Sequence, residues 1–265
     1  MNAELVDEQN IEDDESGTET EDLAAYLREV GEHQRTPRYK KAEHIIGLLR
    51  PYFTGREIRR TLAIGSGFCF LDEKIKSDLV PDSEFISTDI DETRLRSFDH
   101  PSLTKIPISA VDVSYPDESF DFILAHQVLE HINAYPQVLD KISRMCKKGG
   151  LIYINVPNPV SPALGKLPDG TWPKPFLRAF IDHNTRKFKS DFLTDTETHH
   201  TGFTRRKLRV HLKDYHIIDL RKQRIRQEVR GRMADLLIRI FPSFLLPLIV
   251  ESNIWVCMRN EDPKS

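Results

Sequence analysis

The sequence predicts an α/β protein built on a mostly parallel sheet with helices on both faces, and three stretches carry that expectation. Phe120, Phe122, Ile123, Leu124 and Ala125 form an apolar run too continuous for a strand with one wet face, which suits a central parallel strand. The period then changes, because Val128, Leu129 and Ile132 share one helical face. Thr61 to Ile64 is a second strand, closed by the turn Gly65-Ser66-Gly67, and Phe85 to Thr88 is a third, closed by Asp89. His126 and Gln127 therefore stand at a strand's carboxyl end, where open α/β sheets bind ligands.

A chain of 265 residues, 39% hydrophobic, can bury one sizeable core, and a single domain over residues 23–265 is expected. Three widely spaced cysteines (Cys69, Cys146, Cys257) give neither a disulfide framework nor a metal-ligand pair, which points to a reducing compartment. The N-terminus lacks a basic start followed by an apolar core, and no apolar run approaches the ~20 residues that span a bilayer. A cytoplasmic protein without a transmembrane segment is the expectation. Residues 1–22 hold ten of the 41 carboxylates and no Lys or Arg, leaving 38 basic against 31 acidic residues in the remainder. This acidic tail is expected to be disordered and solvated.

After the tail, Leu23, Tyr26, Leu27 and Val30 make one apolar helical stripe, and Ala42, Ile45, Ile46 and Leu49 make another. The Gly31 to Pro37 stretch between them predicts two separate helices. Glycine at 65 and 67 suits a tight strand-to-helix turn with unusual backbone angles and close ligand approach. Asp89 lies 22 residues after Gly67, the distance at which nucleotide-binding α/β proteins place an acid on a ribose. A dinucleotide fingerprint would need a further glycine where the chain has Phe68-Cys69-Phe70, and no G-K-[ST] phosphate loop is present. A cofactor with a ribose and no phosphate fits better.

Taken together, T-L-A-I-G-S-G-F-C-F at 61–70, F-I-S-T-D-I-D at 85–91 and P-D-E-S-F-D-F-I-L-A-H-Q-V-L-E-H-I at 116–132 resemble a class I S-adenosylmethionine-dependent methyltransferase of the type 11 group. The resemblance runs from about residue 57 to 156. It implies a Rossmann-like, seven-stranded, mostly parallel sheet whose last strand is antiparallel, with S-adenosylmethionine as cofactor. It also implies cofactor contacts at Gly65, Ser66 and Gly67 in the loop, and at Asp89 and Ile90 by the ribose. Ala110, Val111 and Asp112 would frame adenine, with Asp112 readable equally as a turn cap, and His126 and Gln127 would meet the methionine portion. The chain departs from the family at Ala63, where an acid is common, at Cys69, where a small residue is common, and at Ile108-Ser109, which replace a Gly-Asp pair.

Glu130 and His131 follow the strand tip and read as helix-capping and loop-fixing residues, with a His126–Glu130 pair geometrically allowed. Val138, Leu139, Ile142 and Met145 form an amphipathic helix ended by Gly149-Gly150, and Leu151 to Val156 is a fifth strand. Six prolines between 157 and 175 break regular structure, and residues 157–204 and 232–252 read as an acceptor-side lid or cover. Thr194 to Thr204 holds two carboxylates and two histidines without a complete ligand set, so no metal site is expected. By the resemblance His199 faces the acceptor pocket, and it is the candidate base; a loop histidine satisfied by its neighbours is the competing account. Residues 205–232 carry eleven basic against three acidic residues, suited to an anionic surface or to a solvated face. Their spacing lacks interleaved aromatics and matches no RNA or DNA module. Met233 to Val250 is the most apolar stretch, interrupted by Pro242 and Pro247, and Asn253 to Met258 closes the chain as a strand.

The expected activity is methyl transfer to an oxygen or nitrogen of a small-molecule, glycan or lipid-linked acceptor. Two other readings stand beside it: a nucleic-acid methyltransferase using the basic stretch, and a non-catalytic scaffold for which Ala63, Cys69 and Ser109 would be marks of degeneration.

Overall fold

The computed structural model describes residues 15–157, 205–228, 232–240 and 252–261. It holds a seven-stranded sheet: β1 (Arg60–Ile64), β2 (Glu84–Asp89), β3 (Thr104–Pro107), β4 (Phe120–His126), β5 (Cys146–Pro157), β6 (Tyr215–Asp219) and β7 (Ser252–Arg259), in the order β3-β2-β1-β4-β5-β7-β6. The first five strands run parallel, and β7 pairs antiparallel with both β5 and β6. Chain order reverses between β1 and β4, so a crevice opens above their carboxyl tips.

The helices are α1 (Glu15–Phe53), α2 (Phe70–Asp78), α3 (Glu92–Arg96), α4 (Tyr135–Met145), α5 (Arg205–His211), α6 (Arg221–Glu228) and α7 (Arg232–Ile240). Alternate strand residues feed two cores. On one face Leu62, Ile64, Ile123, Ile152 and Trp255 pack with Val138, Leu139 and Ile142 of α4 and Leu208 of α5. On the other, Ala63, Phe85, Phe122, Leu124 and Val256 pack with Ile45, Leu49 and Phe53 of α1 and Ile75 of α2. Both faces of β4 are thus covered, which is why its sequence reads as one apolar run.

Four local expectations give way in the structure. The two N-terminal helices are one, since α1 continues from Glu15 through Gly31 and Pro37 to Phe53. Gly31 is a packing site and not a break: a Cβ there would lie 2.3 Å from the Phe98 ring. Pro37 removes one helical hydrogen bond, a cost the packed C-terminal half of α1 outweighs. The acidic segment is helical from Glu15 onward, while residues 1–14 lie outside the described residues. The helix expected straight after β4 is only a 3-10 turn, Leu129–His131, with α4 starting at Tyr135. Finally, Gly149-Gly150 do not end a helix; they belong to β5, where the register shifts between the pairs Phe120–Cys146 and Phe122–Leu151 and Gly149 takes a φ of +72°. The insertion at 158–204 and the proline-broken stretch at 241–251 lie outside the described residues.

Candidate cofactor and acceptor cleft

The crevice above β1, β2 and β4 is a cleft of about 780 Å³. Its floor is the turn between β1 and α2. Gly65 N–H and Ser66 N–H both donate to the Thr88 carbonyl of β2, at 2.9 and 3.0 Å, which bends the chain over the neighbouring strand tip. Gly67 N–H donates to Asp89 Oδ2 at 2.7 Å, and Asp91 N–H to Asp89 Oδ1 at 3.0 Å. The sequence spacing between Gly67 and Asp89 is therefore a direct contact. Each carboxylate oxygen accepts one backbone N–H and retains acceptor capacity for a ligand's hydroxyls.

The glycines do different work. Gly65 has φ +72°, and a Cβ on it would fall 2.3 Å from Val128 Cγ2, so its missing side chain admits the β4 loop across the turn. Gly67 has φ +52° with nothing nearer than Arg94 Cδ at 3.6 Å; there the backbone angle, and not crowding, asks for glycine. Cys69 follows with φ 61° and is fully buried, a non-glycine residue in the left-handed region at the position where the family favours a small one. Gly65→Ala is expected to destabilise the protein by roughly 2–4 kcal/mol through strain and overlap. In urea titrations Val128→Ala should recover part of that loss in the double variant; strictly additive effects would show that the two residues do not touch.

The wall beyond β4 is polar and neutral. The rings of His126 and Tyr153 lie parallel with centroids 6.0 Å apart, and His126 Nδ1 is 3.3 Å from the Tyr153 hydroxyl. Asn155 Nδ2 donates to that same hydroxyl at 3.1 Å, leaving its proton for His126 Nδ1 and the ring's own proton on Nε2. Burial holds the His126 pKa well below the ordinary imidazole value, and the positive charges of Lys41, Arg38 and Arg224 push it the same way. His126 is thus a neutral donor near pH 7. Gln127 has φ +53°; its N–H donates to the Asn155 carbonyl at 2.7 Å and its side chain accepts from Lys41 Nζ at 3.4 Å.

Of the sequence-derived cofactor residues, Gly65, Ser66, Gly67, Asp89, Ile90, Ala110, Val111, His126 and Gln127 all line this one cleft. Asp112 does not: it is exposed, and its N–H closes a turn onto the Ser109 carbonyl. Ser109 lines the cleft in its stead. His199 and the candidate lid residues lie outside the described residues. Residues outside the expected cofactor set also line the cleft: Arg38 and Lys41 of α1, Arg94 of α3, Asp72 of α2 and Glu130. Glu130 is 1% exposed, and neither carboxyl oxygen has a hydrogen-bond partner among the described residues, which does not suit the capping role expected of it. Among the described residues no group of three or more His, Cys, Asp or Glu is arranged to hold a metal ion.

A nucleoside suits this cleft by its donor set. A carboxylate at a strand tip offers two acceptors to a diol, and the exposed Ile90 side chain beside it offers apolar surface to a base.

An open, mostly parallel sheet whose strand order reverses above a glycine turn is of the Rossmann-like class. Residues 62–154 match the type 11 family model described as a methyltransferase domain, which supports an S-adenosylmethionine-dependent methyltransferase. The same match supports S-adenosylmethionine as the cofactor. Solved structures of the same fold include a SAM-dependent methyltransferase from Archaeoglobus fulgidus (19% identity, TM-score 0.52, 82% of this chain and 94% of that one). The YcgJ protein from Bacillus subtilis also shares it (14% identity, TM-score 0.52, 83% and 99%). So does phosphoethanolamine N-methyltransferase 2 of Haemonchus contortus in complex with S-adenosyl-L-methionine (14% identity, TM-score 0.51, 82% and 52%). A search of curated proteins found no match.

Proposed function

We propose that this protein transfers the methyl group of S-adenosylmethionine to an oxygen or nitrogen of a small-molecule, glycan or lipid-linked acceptor. The observation that carries the reading is the Asp89 carboxylate, held by Gly67 N–H at 2.7 Å and open to the cleft. Asp89 binds the ribose hydroxyls and the Gly65–Gly67 turn bounds the methionine portion. Ile90 covers one face of adenine, with Ser109, Ala110 and Val111 at its edge. The cofactor supplies an activated sulfonium methyl group, so the chain's own task is alignment and exclusion of water. His126, neutral and fixed by Tyr153 and Asn155, orients polar groups near the transfer point without adding charge beside a sulfonium. Arg38 and Lys41 at the mouth favour an acceptor with anionic character. His199 is proposed as the base where the acceptor oxygen or nitrogen carries a proton to be lost.

The three cysteines are free and buried, which supports a reducing compartment, and we place the protein in the cytoplasm. No helix among the described residues is long and apolar enough to cross a membrane. Titration calorimetry with S-adenosylmethionine, followed by incubation of a lysate's small-molecule and lipid fractions with methyl-labelled cofactor, tests the reading. Label in one of those fractions is the expected result. Label in RNA or DNA, with steeply salt-sensitive binding, would transfer the activity to nucleic acid, and absence of binding heat would end the methyltransferase reading.

A further inference from the structure

Asp72 lies in the first turn of α2, directly behind the glycine turn, and is the most buried acidic side chain of the cleft after Glu130, at 2% exposure. Its Oδ2 accepts the Ser87 hydroxyl at 2.7 Å. Ser87 is the register partner of Ala63, and parallel partners present their side chains to the same face of the sheet. The Asp72 carboxyl therefore stands beside Ala63, the place on β1 where the chain has no acid of its own.

Among the described residues no Lys, Arg or His pairs with this carboxyl; its neighbours are the Ser66 and Ser87 hydroxyls, the Cys69 thiol and, on the tip of β2, the like-charged Asp89. Lys105 of β3 acts on the Cys69 thiol, and its ammonium group donates to the Phe98 carbonyl. A group that served only to satisfy Ser87 could be a neutral amide. A carboxyl buried next to another carboxyl and opening onto a cleft is instead matched to a cation that arrives from outside.

We propose that Asp72 is the binding residue for the ammonium group at the amino-acid end of S-adenosylmethionine, a carboxylate carried by α2 in place of one on β1. This rests on the cofactor assignment above. Burial first, then Asp89, raises the Asp72 pKa to about 6 against the pull of the two serine hydroxyls. A bound ammonium reverses that, so binding near pH 6 expels a proton from the carboxyl. Well above that pH the carboxyl is already ionised and no proton leaves.

The test is calorimetry of wild type and Asp72→Asn with two ligands, S-adenosylhomocysteine, which has the amino-acid end, and 5′-methylthioadenosine, which lacks it. Asp72→Asn should weaken the first roughly ten- to hundredfold and leave the second within about twofold. Wild type titrated near pH 6 in buffers of different ionisation enthalpy should release roughly half a proton with S-adenosylhomocysteine and none with 5′-methylthioadenosine. That measurement needs no variant. Ala63→Asp added to Asp72→Asn should restore part of the lost affinity. Equal losses for both ligands, no loss for either, or no proton release by wild type would overturn the assignment of Asp72. Failure of wild type to bind either ligand would instead overturn the cofactor site itself, and with it this inference.

Discussion

Asp89→Ala is expected to remove binding of S-adenosylmethionine almost entirely while leaving the sheet folded. Two effects add. The ribose loses a charged acceptor for both hydroxyls, at about 1.5–3 kcal/mol for each hydrogen bond to a charged group. The floor also loses its anchor, because Gly67 N–H at 2.7 Å and Asp91 N–H at 3.0 Å both end on this carboxylate. With those donors released, the turn no longer holds the shape that the cofactor meets. The combined loss is about 3–6 kcal/mol, or roughly 10²–10⁴ in affinity. Asp89→Asn keeps one acceptor oxygen and should fall between the two, at roughly tenfold to a hundredfold. Calorimetry with the cofactor, set beside thermal melts of the free proteins, separates lost binding from lost folding. Affinity of Asp89→Ala within threefold of wild type, with an intact melt, would remove Asp89 from the site.

The parts of this site that were legible in the sequence are those set by local chain geometry. A strand that is covered on both faces must be apolar at every position, as Phe122 to Ala125 are, and a turn needing positive φ asks for Gly65 and Gly67. The 22-residue interval to Asp89 reports one helix and one strand, so it too is a local quantity. What could not be read depends on partners far along the chain. Asp72 looks like an ordinary acid in a helix's first turn, and only the β1–β2 register brings it to Ser87 beside Ala63. The orientation and tautomer of His126 depend on Tyr153 and Asn155, which β4–β5 pairing supplies. Gly31 and Pro37 mislead for the opposite reason: both are strong local signals, and packing on Phe98 and on the sheet outweighs them.

Glu130 gives a stability effect that falls across neutral pH. Its carboxyl is buried in the turn after β4, 3.8 Å from His131 Nε2, with no hydrogen-bond partner for either oxygen among the described residues. Burial raises its pKa from 4.5 to about 8, with its own N–H and the charge of Lys41 opposing. For an acid whose pKa is higher in the folded than in the unfolded state, the stabilising contribution is complete below the unfolded value and is lost as pH rises through the folded one. Wild type should therefore lose stability between about pH 4.5 and pH 8 on account of this group. Glu130→Gln removes the ionisation and keeps the shape. It should match wild type near pH 4, where Glu130 is protonated in both folded and unfolded states, and exceed it by about 3–5 kcal/mol at pH 9. For a chain of this size that is a gain of roughly 6–15 °C in Tm. The Asp72 contribution falls over lower pH and is common to both proteins, so it cancels in the difference. Melting curves taken across this range should diverge with rising pH, and curves that stay parallel would mean that Glu130 ionises freely. Divergence would also fix its chemistry at neutral pH: a protonated carboxyl, able to donate one hydrogen bond to an acceptor in the cleft and unable to act as a base until that proton is gone.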